Sequence, residues 1–315
     1  MRVAVLDDIH QAYEHTAGLR RLRQRAEVRI FSAPFGDPAA LGGFDALIAN
    51  RERTRFTRAL FEQLPDLRII AQTGNHAYHI DLAAAEERGV VVAKASGGFC
   101  TGAAELAIGL AIALLRQIPD ASTLVKSGVW TSPLGRELHG KTMGIVGLGH
   151  VGRHVAKIAG AFGMRVLSWS RRQDAGAAAT AGAEPRELDD LLRASDVVSI
   201  HATLAPETRG LLDDRRIGLM KQTAILINTA RGPIVDEAAL VSALASRRIA
   251  GAALDVFDTE PLPAGHPLAA LPNVILTPHL GWPTDKMYEQ FAQAAADALL
   301  AHLEGRDVER FVDRH

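Results

Sequence analysis

Apolar residues in this chain cluster in short runs separated by longer segments in which they recur at helical spacing, the pattern of strands followed by helices. Two series of runs are visible. The first holds Val3 to Leu6, Val28 to Phe31, Ala46 to Ala49, Arg68 to Thr73 and Val90 to Ala93. The second holds Thr142 to Gly147, Arg165 to Ser170, Val197 to Ile200, Ala224 to Thr229, Ile249 to Val256 and Asn273 to Pro278. Such alternation predicts βα units and parallel sheets, an α/β protein rather than a sandwich. Between the two series, Gly102 to Ile118 is apolar on nearly every helical face, which predicts a helix buried between domains or subunits. The Ala-rich stretch Ala175 to Ala183 reads as a surface segment after the second strand of the second series.

Length and charge narrow the picture. A chain of 315 residues exceeds the size at which one core stops growing, so two domains are expected. With 35 basic against 36 acidic residues, the chain has no general attraction for nucleic acid or for an anionic membrane. A small neutral or anionic metabolite is the better partner. Cys100 is the one cysteine, so no intrachain disulfide forms, no Cys-rich metal site is expected, and a reducing cytoplasm suits the chain. The N-terminus runs straight into Asp7-Asp8, unlike a signal peptide, and the longest uncharged apolar run, Leu106 to Leu115, is too short to span a bilayer.

The candidate chemistry starts at Gly147-Leu148-Gly149-His150-Val151-Gly152, which follows the strand Thr142 to Val146 and opens a helical pattern from Val151 to Phe162. In that context Gly147 permits a tight turn and Gly149 lets backbone N–H groups approach a pyrophosphate. Gly152 allows close helix packing. Arg231, Glu260 and His279 each follow one of the later apolar runs. In a parallel sheet, residues beyond the carboxyl ends of strands share one edge with the glycine loop, where open α/β folds bind ligands.

These segments, together with Val198 to His201, Pro206 to Gly210, Asn228 to Gly232, Leu254 to Phe257 with Glu260-Pro261, and Thr277 to Gly281, resemble the D-2-hydroxyacid dehydrogenase family along essentially the whole chain. The resemblance implies two doubly wound parallel-sheet domains. A Rossmann NAD(P)-binding domain, residues 98–285, is inserted in a flavodoxin-like substrate domain made of 1–97 and 286–315. It implies a homodimer, a small 2-oxo or 2-hydroxy acid as partner, and Arg231, Glu260 and His279 as catalytic residues. It also assigns the loop glycines, His150, Val151, His201, Thr208, Thr229, Asp255 and Gly281 to the cofactor.

The residue types suit that chemistry. Reduction of a 2-oxo acid turns the carbonyl oxygen into an alkoxide, so a fixed cation and a proton donor must face it. Arg231 supplies the first. His279 supplies the second, because histidine titrates near neutral pH, and Glu260 favours the imidazolium and orients it. Asp255 matches the family acid at the nicotinamide carboxamide.

Cofactor choice turns on the end of the strand Arg165 to Ser170. NAD-selective relatives carry an acid there for the ribose 2′-hydroxyl, whereas this chain has Ser170 followed by Arg171 and Arg172. Those residues can bond and neutralise a 2′-phosphate, which predicts NADP preference with NAD still accepted. Asp174 is a rival acid past the strand end. For the substrate, Arg51 and Arg53 are candidates for a second anionic group. Asn75 and His76 are candidates to grip a carboxylate through backbone N–H groups, and Trp282 to wall the pocket. His76 stands where the family usually has a second glycine, Lys94 replaces its commoner asparagine and Ser96 its commoner proline. These departures set the pocket apart from the family's typical one; the resemblance implies a small acid such as glyoxylate or hydroxypyruvate as the default substrate. Oxidation of formate or phosphite on the same scaffold, and a dinucleotide-sensing binding protein, are the alternatives.

Overall fold

The computed structural model describes residues 1–97 and 101–312; Cys100 lies outside the described residues. The chain divides into two compact units, Met1–Gly98 with Pro283–His315, and Phe99–Trp282.

In the first unit β1 (Arg2–Val5), β2 (Glu27–Ile30), β3 (Ala46–Ala49), β4 (Ile69–Thr73) and β5 (Val91–Ala95) form an all-parallel sheet in the order β2-β1-β3-β4-β5. This is the flavodoxin-like order, with its topological switch between β1 and β3. Strands β3 and β4 are buried along their whole length; β3 is apolar throughout, and β4 ends in the buried polar pair Gln72 and Thr73. The edge strand β2, Glu-Val-Arg-Ile, alternates exposed and partly buried positions. Helix Asp285–Leu303 is capped by the Thr284 side chain, which accepts the Met287 N–H, and buries Tyr288, Phe291, Ala295 and Leu299 in this unit. After it, the chain returns to β5. Lys94 N–H donates to the Glu309 carbonyl and Phe311 N–H to that of Val92, which covers an otherwise open sheet edge.

In the second unit β6 (Thr142–Val146), β7 (Arg165–Trp169), β8 (Glu184–Pro185), β9 (Val197–Ile200), β10 (Ile225–Asn228), β11 (Gly251–Leu254) and β12 (Val274–Leu276) form a parallel sheet in the order β12-β11-β10-β9-β6-β7-β8. Alternate residues of one strand serve opposite layers. Leu226 packs with Leu191, Leu240 and Leu244 from one set of helices, while Ile225 and Ile227 pack with Ile108, Ala111 and Val155 from the other. Strand order reverses at β6 and β9, so a crevice opens beyond their carboxyl ends.

Each apolar run becomes a strand, trimmed by a residue or more at some ends. The two-residue β8 was not expected from its sequence. The helix expected over Gly102 to Ile118 runs Thr101–Leu115 and stops; Gln117 takes φ +52° and a second helix, Ile118–Lys126, begins with Pro119 in its first turn. Proline lacks the N–H that would continue the first helix, so the break sits just before it. Part of the Ala-rich segment forms a short helix, Ala175–Thr180, with Ala178 buried. Among the described residues no single helix is long and apolar enough to cross a membrane.

Candidate active site

The glycine loop leaves β6 at Gly147, whose φ is +104° and whose N–H donates to the Trp169 carbonyl at 2.7 Å. A Cβ at Gly152 would lie 2.1 Å from the Gly147 carbonyl oxygen, so only glycine lets helix His150–Ala161 approach the turn this closely. Gly149 differs from both. A Cβ there meets nothing within 4 Å, and no side chain caps the helix that it opens. Open space over uncapped helix N–H groups is an anion cradle. Past the end of β10, Thr229 adds a buried hydroxyl oxygen with no hydrogen-bond partner among the described residues. His201 N–H bonds the Val146 carbonyl at 2.7 Å and its Nε2 pairs with Ser199 Oγ at 2.8 Å. Burial of the ring pushes His201 down to about 4. These groups fit a dinucleotide at the switch point.

At the end of β7, Ser170 Oγ accepts the Leu148 N–H at 2.8 Å and so ties the strand end to the glycine loop. Ser170 and Arg172 line a small hollow with Leu148, Gln173, Asp174 and Pro185. Asp174 is spent on capping: its carboxylate accepts the Ala177 N–H at 2.9 Å. Arg171 pairs with Glu207 at 2.8 Å on the surface. The Thr208 hydroxyl turns into its own loop, accepting the Ala205 N–H and donating to the Thr203 carbonyl.

The loops after β10, β11 and β12 carry the other candidates. Asn228 braces the first, donating through Nδ2 to the Arg231 carbonyl at 3.0 Å and accepting the Ala230 N–H. A Cβ at Gly232 would lie 2.1 Å from the Phe257 carbonyl carbon, so the Arg231 loop sits hard against the loop after β11. In that loop Glu260 Oε1 accepts the Phe257 N–H at 3.0 Å, and Glu260 Oε2 lies 2.7 Å from His279 Nδ1. Burial raises the Glu260 carboxyl, but the His279 and Phe257 hydrogen bonds and the nearby charges of His279 and Arg231 outweigh it and hold the group below its ordinary value. His279, with φ +57°, shares a pocket of about 270 Å³ with Phe257, Glu260, Leu262, Leu276, Thr277 and Pro278. A histidine held against an ionised carboxylate, with a cationic guanidinium acting on the same carboxylate, is an arrangement able to exchange a proton with a ligand in the pocket.

Comparison with known proteins gives the family. Residues 108–281 match the model of the D-isomer specific 2-hydroxyacid dehydrogenase NAD binding domain. The chain is 42% identical over 264 residues to the glyoxylate reductase of Aeropyrum pernix, covering 81% of this chain and 79% of that one. The chain belongs to the D-isomer specific 2-hydroxyacid dehydrogenase family. It is also 39% identical to the D-3-phosphoglycerate dehydrogenase of Bacillus subtilis, over 84% of this chain but only 50% of that longer protein. Among solved structures it resembles phosphoglycerate oxidoreductase of Vibrio cholerae (TM-score 0.86, 33% identity, covering 97% of this chain and 99% of that one) and D-lactate dehydrogenase of Escherichia coli (TM-score 0.88, 26% identity, 98% and 99%). This dehydrogenase therefore binds a nicotinamide dinucleotide and acts on small hydroxy or oxo acids.

Several side chains of the dehydrogenase are engaged in ways its sequence did not disclose. Asp255, expected at the nicotinamide, is buried, and its carboxylate accepts Thr277 Oγ1 at 2.5 Å, Leu280 N–H at 2.7 Å and Gly281 N–H at 2.8 Å. In the first unit, Arg53 Nη1 donates to the Asp7 carbonyl at 2.7 Å, so this arginine braces the loop after β1. Arg51 and His76 both meet Glu52, a residue sequence reasoning passed over. Asn75 is exposed and Trp282 partly buried. An acidic residue between two arginines reads as a solvated charge run, and only the folded loops show otherwise.

Proposed function

We propose that the protein is an NADP-preferring reductase of a small 2-oxo acid of the glyoxylate or hydroxypyruvate type, forming the D-hydroxy acid, with Arg231, Glu260 and His279 as its catalytic residues. The observation that carries this reading is the 2.7 Å contact between His279 Nδ1 and Glu260 Oε2. With Nδ1 turned to the carboxylate, Nε2 is the atom that hands a proton to the carbonyl oxygen in reduction and takes it back in oxidation. Glu260, held ionised, fixes the plane of the ring through that contact. Arg231 holds the substrate carboxylate and polarises the carbonyl. When bound, the reduced nicotinamide supplies the hydride.

The cofactor is assigned to the cradle at Gly149, the Thr229 hydroxyl and the hollow at Ser170 and Arg172. Lack of an acid at the end of β7 supports NADP over NAD, since Asp174 is committed to its helix cap. Backbone N–H groups at Asn75 and His76 are assigned to the substrate carboxylate, and Trp282 to the pocket wall. A homodimer is supported by Trp130 and Leu134, more than nine-tenths exposed in the segment after helix Ile118–Lys126; apolar side chains so displayed call for a protein surface to cover them.

The test is the initial rate of NADPH and NADH oxidation against a panel of 2-oxo acids, for the wild type and for His279→Gln. Turnover that falls about 10²- to 10⁴-fold in the variant, with dinucleotide affinity retained, is the expected result. Dinucleotide binding by the wild type without turnover of any 2-oxo acid would overturn it.

A further inference from the structure

The loops after β3 and β4 hold a charge arrangement that the proposed reaction does not use. Arg51 Nε donates to Glu52 Oε2 at 3.1 Å, and His76 Nε2 lies 2.9 Å from the other oxygen, Oε1, of the same carboxylate. The pairing is sheltered: the side chains of Arg51 and Glu52 are only 14% and 22% exposed, so water screens it little.

It is also held in place. Arg51 has a left-handed backbone, φ +59°, and its N–H donates to Thr73 Oγ1 at 2.9 Å. The buried Gln72 amide donates to the carbonyls of Arg51, Thr73 and His76, and its oxygen meets His79 Nε2 at 3.2 Å. One brace thus fixes both loops, which leave adjacent strands at the carboxyl edge where an open α/β sheet receives ligands. Burial raises the Glu52 carboxyl, but the His76 hydrogen bond and the Arg51 charge prevail and hold it well below the usual carboxylate range. The Arg51 cation is therefore compensated where it stands.

We propose that Glu52 is a specificity-determining residue that restricts this site to 2-oxo acids with a single anionic group, because it occupies Arg51 and His76, the two groups placed to receive a second carboxylate or phosphate. The inference rests on the reading of these loops as part of the substrate site. A monoanionic substrate needs only the backbone N–H groups of these loops. A dianionic one brings its second charge against the Glu52 carboxylate and is repelled.

The experiment compares kcat/KM for monoanionic acids (glyoxylate, pyruvate) with that for dianionic ones (oxaloacetate, 2-oxoglutarate), in the wild type and in Glu52→Gln, which keeps the shape of the side chain and removes its charge. Expected is a wild type that favours monoanions, and a variant whose dianion kcat/KM rises about tenfold or more, mainly through KM, with the monoanion value held within about threefold. Glu52→Ser, which removes the bulk of the carboxylate, shows the same gain, and Arg51→Gln added to Glu52→Gln abolishes it. An unchanged dianion-to-monoanion ratio in both Glu52 variants, or a wild type that already prefers dianions, overturns the inference while leaving the reductase reading intact. No wild-type turnover of any 2-oxo acid overturns both.

Discussion

The backbone N–H of His279 donates to the carbonyl of Asp255 at 3.0 Å, and the Asp255 carboxylate closes the same turn from the other side by accepting the N–H groups of Leu280 and Gly281. A residue at the end of β11 thereby sets the left-handed turn that presents the histidine after β12. Burial raises the Asp255 carboxyl, opposed by the hydrogen bonds it receives from Thr277, Leu280 and Gly281. Asp255→Asn replaces one acceptor with an amide NH₂ that must face a backbone N–H. The variant should lose about 1–3 kcal/mol of stability in denaturant melts, and kcat should fall with it because the imidazole leaves its place against Glu260. An unchanged melt and rate would show that the turn holds without the carboxylate.

The loop glycines separate folding from binding. Gly152→Ala forces a Cβ to 2.1 Å from the Gly147 oxygen and should cost about 1–3 kcal/mol through overpacking. Gly149→Ala has free space around the new methyl, so thermal stability should hold while dinucleotide affinity drops. Calorimetry and cofactor titration on the two variants check the contrast; equal loss of stability in both would remove the argument for a cradle.

Arg171 must leave Glu207 to reach a 2′-phosphate, and an exposed ion pair of this kind is worth only about 0–1 kcal/mol. A charge-assisted contact to phosphate exceeds that, so Arg171→Ala should raise the NADPH Michaelis constant about tenfold and leave that of NADH unchanged. Equal effects on both cofactors would place the arginine elsewhere.

His201 makes stability depend on pH. Its folded-state value, about 4, lies below the ordinary 6.5, so the unfolded chain binds the extra proton between those limits. The contribution is complete above about pH 6.5 and is lost as pH falls toward 4, with a slope of up to about 1.4 kcal/mol per pH unit. Denaturant melts from pH 7 to 4 should show that slope, and His201→Asn should flatten it.

The two sheets, the glycine loop and the placement of Arg231, Glu260 and His279 just past strands were legible in the chain. Alternating apolar runs and helical segments force parallel strands, and parallel strands put all their carboxyl ends on one edge, so local pattern suffices to gather distant residues there. The break at Gln117 was legible only in hindsight, from Pro119. Which group each side chain meets was decided by tertiary structure. The engagement of Asp255 with the turn at Gly281, the hold of Glu52 on Arg51 and His76, and the pairing of Arg171 with Glu207 depend on loop paths and side-chain directions across separate strands. Hydrogen-bond geometry tolerates errors of only a few tenths of an ångström, and no periodicity along a chain carries that information.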